Sequence, residues 1–378
     1  MTLIQVGSIL AGVIMLVGPI ASILVNKFGP RITCIAGAII SGLAIFISTF
    51  SVNVYMMMVF YGVLAGLGLG FIYVPAITEV GYWFEKKRSL VTGISTSGSG
   101  FGTIVFPPVL TALESSLGWR WCLRIVASFC LSCTLLGATM KPVPYIVNKE
   151  KDVMLVKDTE VAVVTKENRY LVILKNIPFL TLLLANLPAI MAMYIPYTFL
   201  PGITQQKGLS EANSAILISL IGVFNTVGRV IAGAVTDHPN VDALFLTAVT
   251  LLTGAVCPAL MTLCLDFWSF AVVCIMFGLL LSVMPAVTSP CLVDILGLDY
   301  LTSAFGVLTC IRGVSALLGP PLGGFVIDAT SPEELEKNEE DTSNYEVAFY
   351  ISASLLCAAS IGHLISFAVK KASQKNKI

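Results

Sequence analysis

The sequence predicts an all-α membrane protein with eleven transmembrane helices in two repeated halves. Three observations support this fold class: few charged residues, a succession of long apolar runs, and an internal repeat. Of the 378 residues, 56% are hydrophobic and 12% are charged, and the mean hydropathy is +0.90. Because a soluble domain carries about 25% charged residues, most of this surface is expected to face lipid.

Composition also argues against several function classes. The net charge is zero, which gives no basic surface for a nucleic acid. Most of the ten cysteines lie inside apolar runs, which is typical of small buried hydrophobic residues and not of a disulfide framework. His238 and His363 have no neighbours at metal-ligand spacing, and no phosphate-binding loop or nucleophile–base pair occurs. We therefore expect no cofactor, no metal site and no enzymatic activity.

The apolar runs define the predicted spans. A helix needs about 20 apolar residues to cross a bilayer. Runs of this kind occur at 3–25, 32–50, 54–78, 89–112, 119–140, 176–200, 213–236, 243–263, 267–290, 301–327 and 346–369.

The distribution of Lys and Arg orients these spans, because cytoplasmic loops carry the excess of positive charge. Basic residues concentrate at Asn26–Arg31, Glu85–Arg88, 141–175 and 370–378, whereas the predicted external segment 328–346 is acidic. This pattern predicts a plasma-membrane protein with a cytoplasmic central loop and C-terminus. The predicted organisation is an N-terminal half (1–140), a central loop (141–175), a C-terminal half (176–369) and a tail (370–378).

The two halves repeat at an offset of about 213 residues. A proline followed four residues later by an acid occurs in each half, and two glycines, a Pro-Pro pair and a polar loop residue also recur in the same order. The matched positions are Pro75 with Pro290, Glu79 with Asp294, Gly93 with Gly306, Gly100 with Gly313, Pro107-Pro108 with Pro320-Pro321, and Asn26 with Asp237. Recurrence in this order is typical of a duplicated helical unit.

The repeat also indicates an asymmetry between the halves. Within the C-terminal half, two predicted helices precede the Asp237 loop, whereas within the N-terminal half only one precedes the Asn26 loop. The charge distribution also places Met1 outside the cell. Both observations predict that one helix is missing before Met1, giving eleven spans of an expected twelve. Parallel repeats of six helices are the architecture of major facilitator transporters.

Four segments resemble the monocarboxylate transporter family, a group of solute carriers in that superfamily. The run Trp83-Phe-Glu-Lys-Lys-Arg-Ser-Leu-Val-Thr-Gly-Ile-Ser-Thr-Ser-Gly98 is similar to the family signature at the start of the fifth helix. The segments beginning at Gly18, Gly66 and Leu318 are similar to its second, fourth and eleventh helices. The resemblance covers nearly the whole chain outside the central loop. It implies transport of a monocarboxylate, often as a symport, and a single-span accessory subunit as a partner.

Two further segments, Gly222–Arg229 and Phe305–Gly313, are similar to the branch that contains monocarboxylate transporters 9, 12 and 14. Departures from the family pattern concern the chemistry of transport. The first helix, with its substrate-binding lysine, has no counterpart in this sequence. In addition, Asn225 stands where lactate-type members carry an Asp. Because an amide does not titrate, we predict uptake with weak pH dependence.

Arg229 is the leading candidate for the substrate site. A charge inside a membrane span is costly and indicates function, and a guanidinium offers a planar fork that matches a carboxylate. Asn225 lies four residues earlier, on the same helix face, and is predicted to be its hydrogen-bonding neighbour. The alternative is a structural arginine that pairs with helix carbonyls or with an acid at the cytoplasmic gate.

Arg312 lies near the centre of its span between two glycines, where it binds substrate or stabilises helix packing. Three hydroxyl residues of the fifth family helix, Thr92, Thr96 and Ser99, are predicted to line the substrate path. Small hydroxyl residues also ease helix packing in membranes, and this second explanation stays open for each of them.

Charged residues near the cytoplasmic helix ends suggest a gate. Glu79 and Asp294 occupy equivalent positions, and Arg31 and Asp237 lie at or next to equivalent loops. We interpret them as ion pairs that latch the cytoplasmic side and break during transport, the alternative being solvated helix ends.

The predicted function is alternating-access transport of a small organic solute, a monocarboxylate or a zwitterion, across the lipid bilayer. Two alternatives remain at this point. One is a truncated, non-transporting membrane protein that acts only as a partner or regulatory subunit. The other is a transporter from another major facilitator family with different solutes.

Overall fold

The computed structural model describes residues 2–141, 169–330 and 344–375, except for the side chains at residues 2–5, 107, 108 and 111. These parts of the chain are helical and contain no strand. The helices are α1 Thr2–Leu16, α2 Gly18–Phe28, α3 Pro30–Ser48, α4 Val54–Met57, α5 Ala65–Trp83, α6 Arg88–Leu117, α7 Trp119–Thr139, α8 Arg169–Lys175, α9 Ile177–Gln206, α10 Glu211–Thr236, α11 Ala243–Leu263, α12 Phe267–Leu281, α13 Val283–Ala286, α14 Thr288–Leu296, α15 Leu301–Thr330 and α16 Tyr345–Lys375.

Nine helical spans among the described residues are long and apolar enough to cross a membrane, and a bent pair raises the number to ten. The bent pair is formed by α1 and α2, which meet at an angle of 45°. Pro19 lies in the first turn of α2, and a proline that lacks an N–H group is a common cause of such a bend. The predicted span 3–25 is therefore helical but broken.

The remaining predicted span, 89–112, corresponds to α6, a helix of 30 residues. It is long enough to cross a bilayer but is less apolar than the nine spans above. The physical reason lies in its composition, because Ser, Thr and Gly are frequent between Ser89 and Thr103. The helix was predicted correctly, whereas its apolar character was overestimated.

Several spans are interrupted or longer than predicted. A seven-residue π-helix, Met58–Leu64, joins α4 to α5, so that the span runs from Val54 to Trp83. The predicted span 267–290 is divided into α12, α13 and α14.

Two of the connections between helices are single glycines with positive φ. These are Gly29 between α2 and α3 and Gly118 between α6 and α7. Glycine adopts this conformation without a steric penalty, which allows one helix to follow another directly.

The chain forms two compact units. Unit 1 comprises residues 1–88, 112–180 and 292–313, and unit 2 comprises residues 89–111, 181–291 and 314–378. This grouping does not follow the predicted halves, since most of α6 lies in unit 2 and the first part of α15 lies in unit 1. The predicted division at 140 and 176 stays a prediction, with most of its central loop outside the described residues.

In unit 1, α3 packs against both α5 and α7. A Cβ at Gly37 would lie 2.6 Å from the Gly68 carbonyl oxygen, and one at Gly42 would lie 2.5 Å from the Leu131 side chain. Small residues allow this close approach of helices in membranes. The buried cluster around Ala44 and Ala65 is accordingly built from small and medium-sized side chains.

In unit 2, α11 packs against α12 and α16 around a larger apolar core. Ser360 of α16 donates a hydrogen bond to the Ala248 carbonyl at 2.7 Å. Lys370 and Asp242 form an ion pair at 2.8 Å, which connects the end of α16 to the start of α11. Asp266, before α12, accepts backbone hydrogen bonds that hold the pKa of its carboxyl below the ordinary value.

Candidate functional site

The candidate site lies in unit 2, where α10 carries Arg229 and α6 lies beside it. The Arg229 Nε donates a hydrogen bond to the Asn225 Oδ1 at 2.9 Å. One terminal nitrogen donates to the Thr96 carbonyl oxygen at 2.5 Å and to the Ser99 hydroxyl at 2.7 Å. Four of the predicted site residues are thus in contact, and the guanidinium connects two helices.

Asn225 is held in a single orientation. It is 4% exposed, and its amide nitrogen donates to the Gly278 carbonyl of α12 at 3.2 Å. Its oxygen therefore points toward Arg229. An amide fits this position because its nitrogen donates on one side and its oxygen accepts on the other. Both of its buried polar atoms therefore have a partner. Asn225 therefore orients the guanidinium in this structure, and its role as a substrate ligand stays a prediction.

Glycines set the distance between α6 and α10. A Cβ at Gly93 would lie 2.4 Å from the Arg229 carbonyl oxygen, and one at Gly233 would lie 2.5 Å from the Ser89 carbonyl oxygen. At Gly100 the nearest atom would be the Thr226 hydroxyl. Gly93 and Gly100 are two of the repeated glycines of the sequence, and the structure gives their physical reason. The close contact brings Ser99 within reach of the Arg229 side chain.

Asp237 lies at the end of α10 and caps the start of α6. Its two carboxylate oxygens accept the backbone N–H groups of Ser89 and Leu90, each at 2.9 Å. A negative charge at a helix N-terminus is favourable because the free N–H groups and the helix dipole point toward it. The structure therefore places Asp237 in a helix cap.

Thr92 is fully buried one turn before Thr96. Its hydroxyl has no hydrogen-bond partner among the described residues, and it does not contact Arg229 directly. The Thr96 hydroxyl bonds to the Gly93 carbonyl at 3.2 Å, so that Thr96 contributes its backbone oxygen to the site. Of the three hydroxyl groups, Ser99 alone reaches the guanidinium.

Tyr197 of α9 lies near this site, although the sequence did not point to it. Its phenol lies within electrostatic range of Arg229, and its ring centroid is 6.2 Å from that of Phe277. Side chains of α6 and α10 bond to the guanidinium, and Tyr197 of α9 lies within electrostatic range of it. No sequence pattern separates Tyr197 from the neighbouring aromatic residues, so only packing reveals it.

Unit 1 contains an equivalent helix pair, α2 and the first part of α15. A Cβ at Gly306 would lie 2.6 Å from the Gly18 carbonyl oxygen, and one at Gly313 would lie 2.8 Å from the Leu16 nitrogen. The Asn26 amide donates to the Ser303 hydroxyl at 2.9 Å. The glycine contacts repeat those of Gly93 and Gly100, whereas Asn26 bonds to a side-chain hydroxyl and Asp237 bonds to backbone N–H groups.

Arg312 belongs to this second pair. It is 5% exposed, so its side chain is buried within the protein. Its role as a substrate ligand stays a prediction.

The other gating residues are placed differently. Glu79 is 7% exposed in α5, whereas Arg31 in the first turn of α3 and Asp294 in α14 are exposed. No ion pair joins Glu79 to Arg31 within the part of the chain that the structure describes. The latch between these residues stays a prediction for a different conformation.

Comparisons with known proteins identify the family. The model of the Major Facilitator Superfamily matches residues 1–279 and 243–378. The chain belongs to this superfamily. It is therefore a multi-pass membrane protein of a transporter superfamily, which favours the predicted transporter over a non-transporting subunit.

Within the superfamily the chain is similar to monocarboxylate transporters. It is 28% identical to human monocarboxylate transporter 14 over 444 residues, covering 98% of this chain and 84% of the relative. It is also 28% identical to human monocarboxylate transporter 6 over 370 residues (94% and 70%) and to Danio rerio monocarboxylate transporter 12-B over 394 residues (96% and 78%). The predicted family resemblance is confirmed, and the assignment to one branch stays a prediction.

Proposed function

We propose that this protein moves a small carboxylate or zwitterion across the plasma membrane by alternating access, and that Arg229 binds the carboxylate. The observation that carries the proposal is the position of the guanidinium between Asn225 and Ser99. These two partners and the Thr96 carbonyl are neutral groups. A carboxylate forms charge-assisted hydrogen bonds with a guanidinium that are about twice as strong.

The geometry suggests which contacts a substrate replaces. The Nε bond to Asn225 orients the guanidinium and is compatible with a bound solute. The terminal nitrogen bonds to Thr96 and Ser99 of α6, and a carboxylate that takes this position competes with them. Binding would then weaken the contact between the α10 arginine and α6, which links substrate occupancy to the movement of one helix against another.

The neutral amide of Asn225 has a consequence for coupling. Because an amide side chain does not titrate, substrate binding at Arg229 needs no change of protonation at Asn225. We infer transport of a monoanion or zwitterion that responds weakly to the pH of the external medium. The names of the similar transporters indicate monocarboxylates as the first solutes to test.

The central experiment is uptake of radiolabelled lactate, pyruvate, creatine and carnitine by cells that express the wild type, Arg229→Ala or Arg229→Lys. Lysine keeps the charge but lacks the planar fork. We expect Arg229→Ala to abolish uptake and Arg229→Lys to retain a small fraction, with unchanged surface expression. Arg120→Ala, which removes an arginine at the start of α7, is the matched control. Undiminished uptake by Arg229→Ala would refute the carboxylate clamp.

The proposed topology has a cytoplasmic central segment and C-terminus, as the distribution of basic residues indicates. Epitope tags inserted in 142–168 and after Ile378 are expected to react with antibody only after permeabilisation. The proposed single-span accessory subunit is tested by surface expression with and without such a subunit. Equal surface expression in both cases would remove it from the proposal.

A further inference from the structure

Glu79 is a buried acid that the proposed substrate site does not use. It lies in the last part of α5, inside the span Val54–Trp83, and its side chain is 7% exposed. The indole N–H of Trp83, one turn later, donates a hydrogen bond to its carboxyl group. Within the described part of the chain, this bond from a neutral donor is the one side-chain hydrogen bond that Glu79 makes.

The cations on the neighbouring helices do not neutralise this carboxyl group. Both α2 and α3 pack against α5. Lys27 of α2 lies over the ring of Phe28, with its Nζ 5.1 Å from the ring centroid, and Arg31 of α3 is exposed. Neither lies within 4.0 Å of Glu79.

Other charged groups lie around this end of α5. The Tyr82 hydroxyl shares a hydrogen bond with the Thr302 hydroxyl of α15 at 3.0 Å. Arg169 of α8 lies within electrostatic range of that phenol. Arg88 of α6 donates to the Gly81 carbonyl at 2.9 Å.

The acids near the start of α15, Asp294 and Asp299, carry the same charge as an ionised Glu79. As acids, they offer it no neutralising positive charge. Burial of a carboxylate without a cation is far more costly than burial of the neutral acid. The packing around Glu79 consequently favours the protonated form.

We propose that Glu79 is a proton-binding site of this transporter. The carboxylic acid is neutral in the packing described here, and it releases its proton to water when the end of α5 becomes exposed. The resulting carboxylate is then free to pair with Lys27 or Arg31, which gives the predicted latch a place in the transport cycle. On return to the buried state, the carboxylate takes up one proton from the same aqueous phase.

The proposal rests on the alternating-access function for its link to transport. It adds a dependence on the proton concentration at the α5 end near Trp83, which the charge distribution places in the cytoplasm. This dependence is distinct from the weak response to external pH that Asn225 predicts. An acid medium on that side favours the buried packing, and an alkaline medium favours the exposed one.

The first test measures the proton directly and needs no substrate. Infrared spectra of the purified full chain are recorded over a pH series for the wild type, Glu79→Gln and Glu85→Gln. Glu85 is the matched control, because it is an exposed glutamate six residues further along. We expect a carbonyl band of a protonated acid that persists after exposed carboxylates have ionised, that is lost in Glu79→Gln and that is retained in Glu85→Gln. A band that survives in Glu79→Gln, or its absence from the wild type, overturns the proposal.

Folding is controlled by thermal unfolding, since glutamine keeps an acceptor for the Trp83 indole. Glu79→Asp provides a second variant that retains a titratable group and is expected to retain the band. The second test is uptake at a clamped cytosolic pH. We expect the wild type and Glu85→Gln to respond to cytosolic pH and Glu79→Gln to lose the response, whereas an equal response in all three overturns the proton site. If no solute is taken up by any of them, the proposed function fails, and the infrared result still decides on Glu79.

Discussion

The two close helix pairs share a design but differ in where they carry charge. In unit 2, α6 packs on α10 through Gly93 and Gly100, and in unit 1, α15 packs on α2 through Gly306 and on the end of α1 through Gly313. Both pairs also join a polar loop residue to the start of the partner helix. The shared contacts explain why these positions recur in the sequence, because only a glycine allows the backbones to approach so closely.

The arginines lie on opposite members of the two pairs. Arg229 belongs to α10, and its counterpart eight residues before Asn26 is Gly18 of α2. Arg312 belongs to α15, and its counterpart in α6 is Ser99, which accepts a bond from Arg229. The duplicated scaffold therefore supports an asymmetric charge distribution, which suits a transporter that binds one asymmetric solute.

The largest expected effect comes from filling the glycine contacts. Gly93→Val places a branched side chain against the Arg229 carbonyl, and overpacking of this kind costs about 1–3 kcal/mol or more. We expect complete loss of uptake together with a lower melting temperature. Gly306→Val is expected to lower the melting temperature similarly, through contact with Gly18 and Ser22.

Gly98→Ala is the control, since a Cβ at Gly98 meets no atom within 4 Å. Thermal unfolding and uptake are measured for all three variants. Equal stability of Gly93→Val and Gly98→Ala would contradict the close contact at Gly93, and an unchanged melting temperature in Gly306→Val would break the proposed equivalence of the two pairs.

The next effect concerns the buried amide of α10, for which α2 has no polar equivalent. In Asn225→Asp, a protonated carboxylic acid can donate to the Gly278 carbonyl and accept from Arg229, whereas an ionised one loses the first bond. Uptake by the variant is therefore expected to depend steeply on pH. Each 1.4 kcal/mol lost from the free energy of substrate binding lowers the apparent affinity about tenfold. Uptake is measured across external pH, and a flat profile would contradict the geometry.

A smaller difference is expected between the Asp237 cap and the Asn26 hydrogen bond. Asp237→Ala removes an acceptor for two backbone N–H groups at the start of α6, and loss of such a cap costs about 0.5–2 kcal/mol. Asn26→Ala removes a single bond to Ser303 and is expected to cost about 0.5–1.5 kcal/mol, the value of an ordinary hydrogen bond. Thermal unfolding compares the two, and a larger loss in Asn26→Ala would reverse the comparison.

The smallest effect is expected at Ser99. Ser99→Ala removes a hydroxyl that competes with the substrate for Arg229, so the KM for the transported solute should fall while the melting temperature changes little. The partly buried Ser97, which bonds to the carbonyl of Ile94 in its own helix, provides the control variant Ser97→Ala. A raised KM in Ser99→Ala would indicate that the hydroxyl itself binds the solute.

The helical fold and most of the spans followed from sequence because lipid exposure demands long apolar segments, which are visible residue by residue. The break at Val17 and the low apolarity of α6 were less visible. The break depends on a single turn around Pro19, and the low apolarity of α6 depends on Ser and Thr residues scattered along it. Arg229 and Asn225 were predicted as a pair, since residues four apart on a helix share a face.

What the sequence by itself determined is therefore the all-α membrane class, the repeat and the identity of the intramembrane charges. These depend on the spacing and chemistry of side chains along one helix. Only the tertiary structure decided that Gly278 fixes Asn225, that Ser99 and Thr96 meet Arg229, that Tyr197 lies near it, and that Glu79 is buried beside Trp83. These contacts join distant segments, some through backbone atoms that are the same in every residue, so no local pattern specifies them.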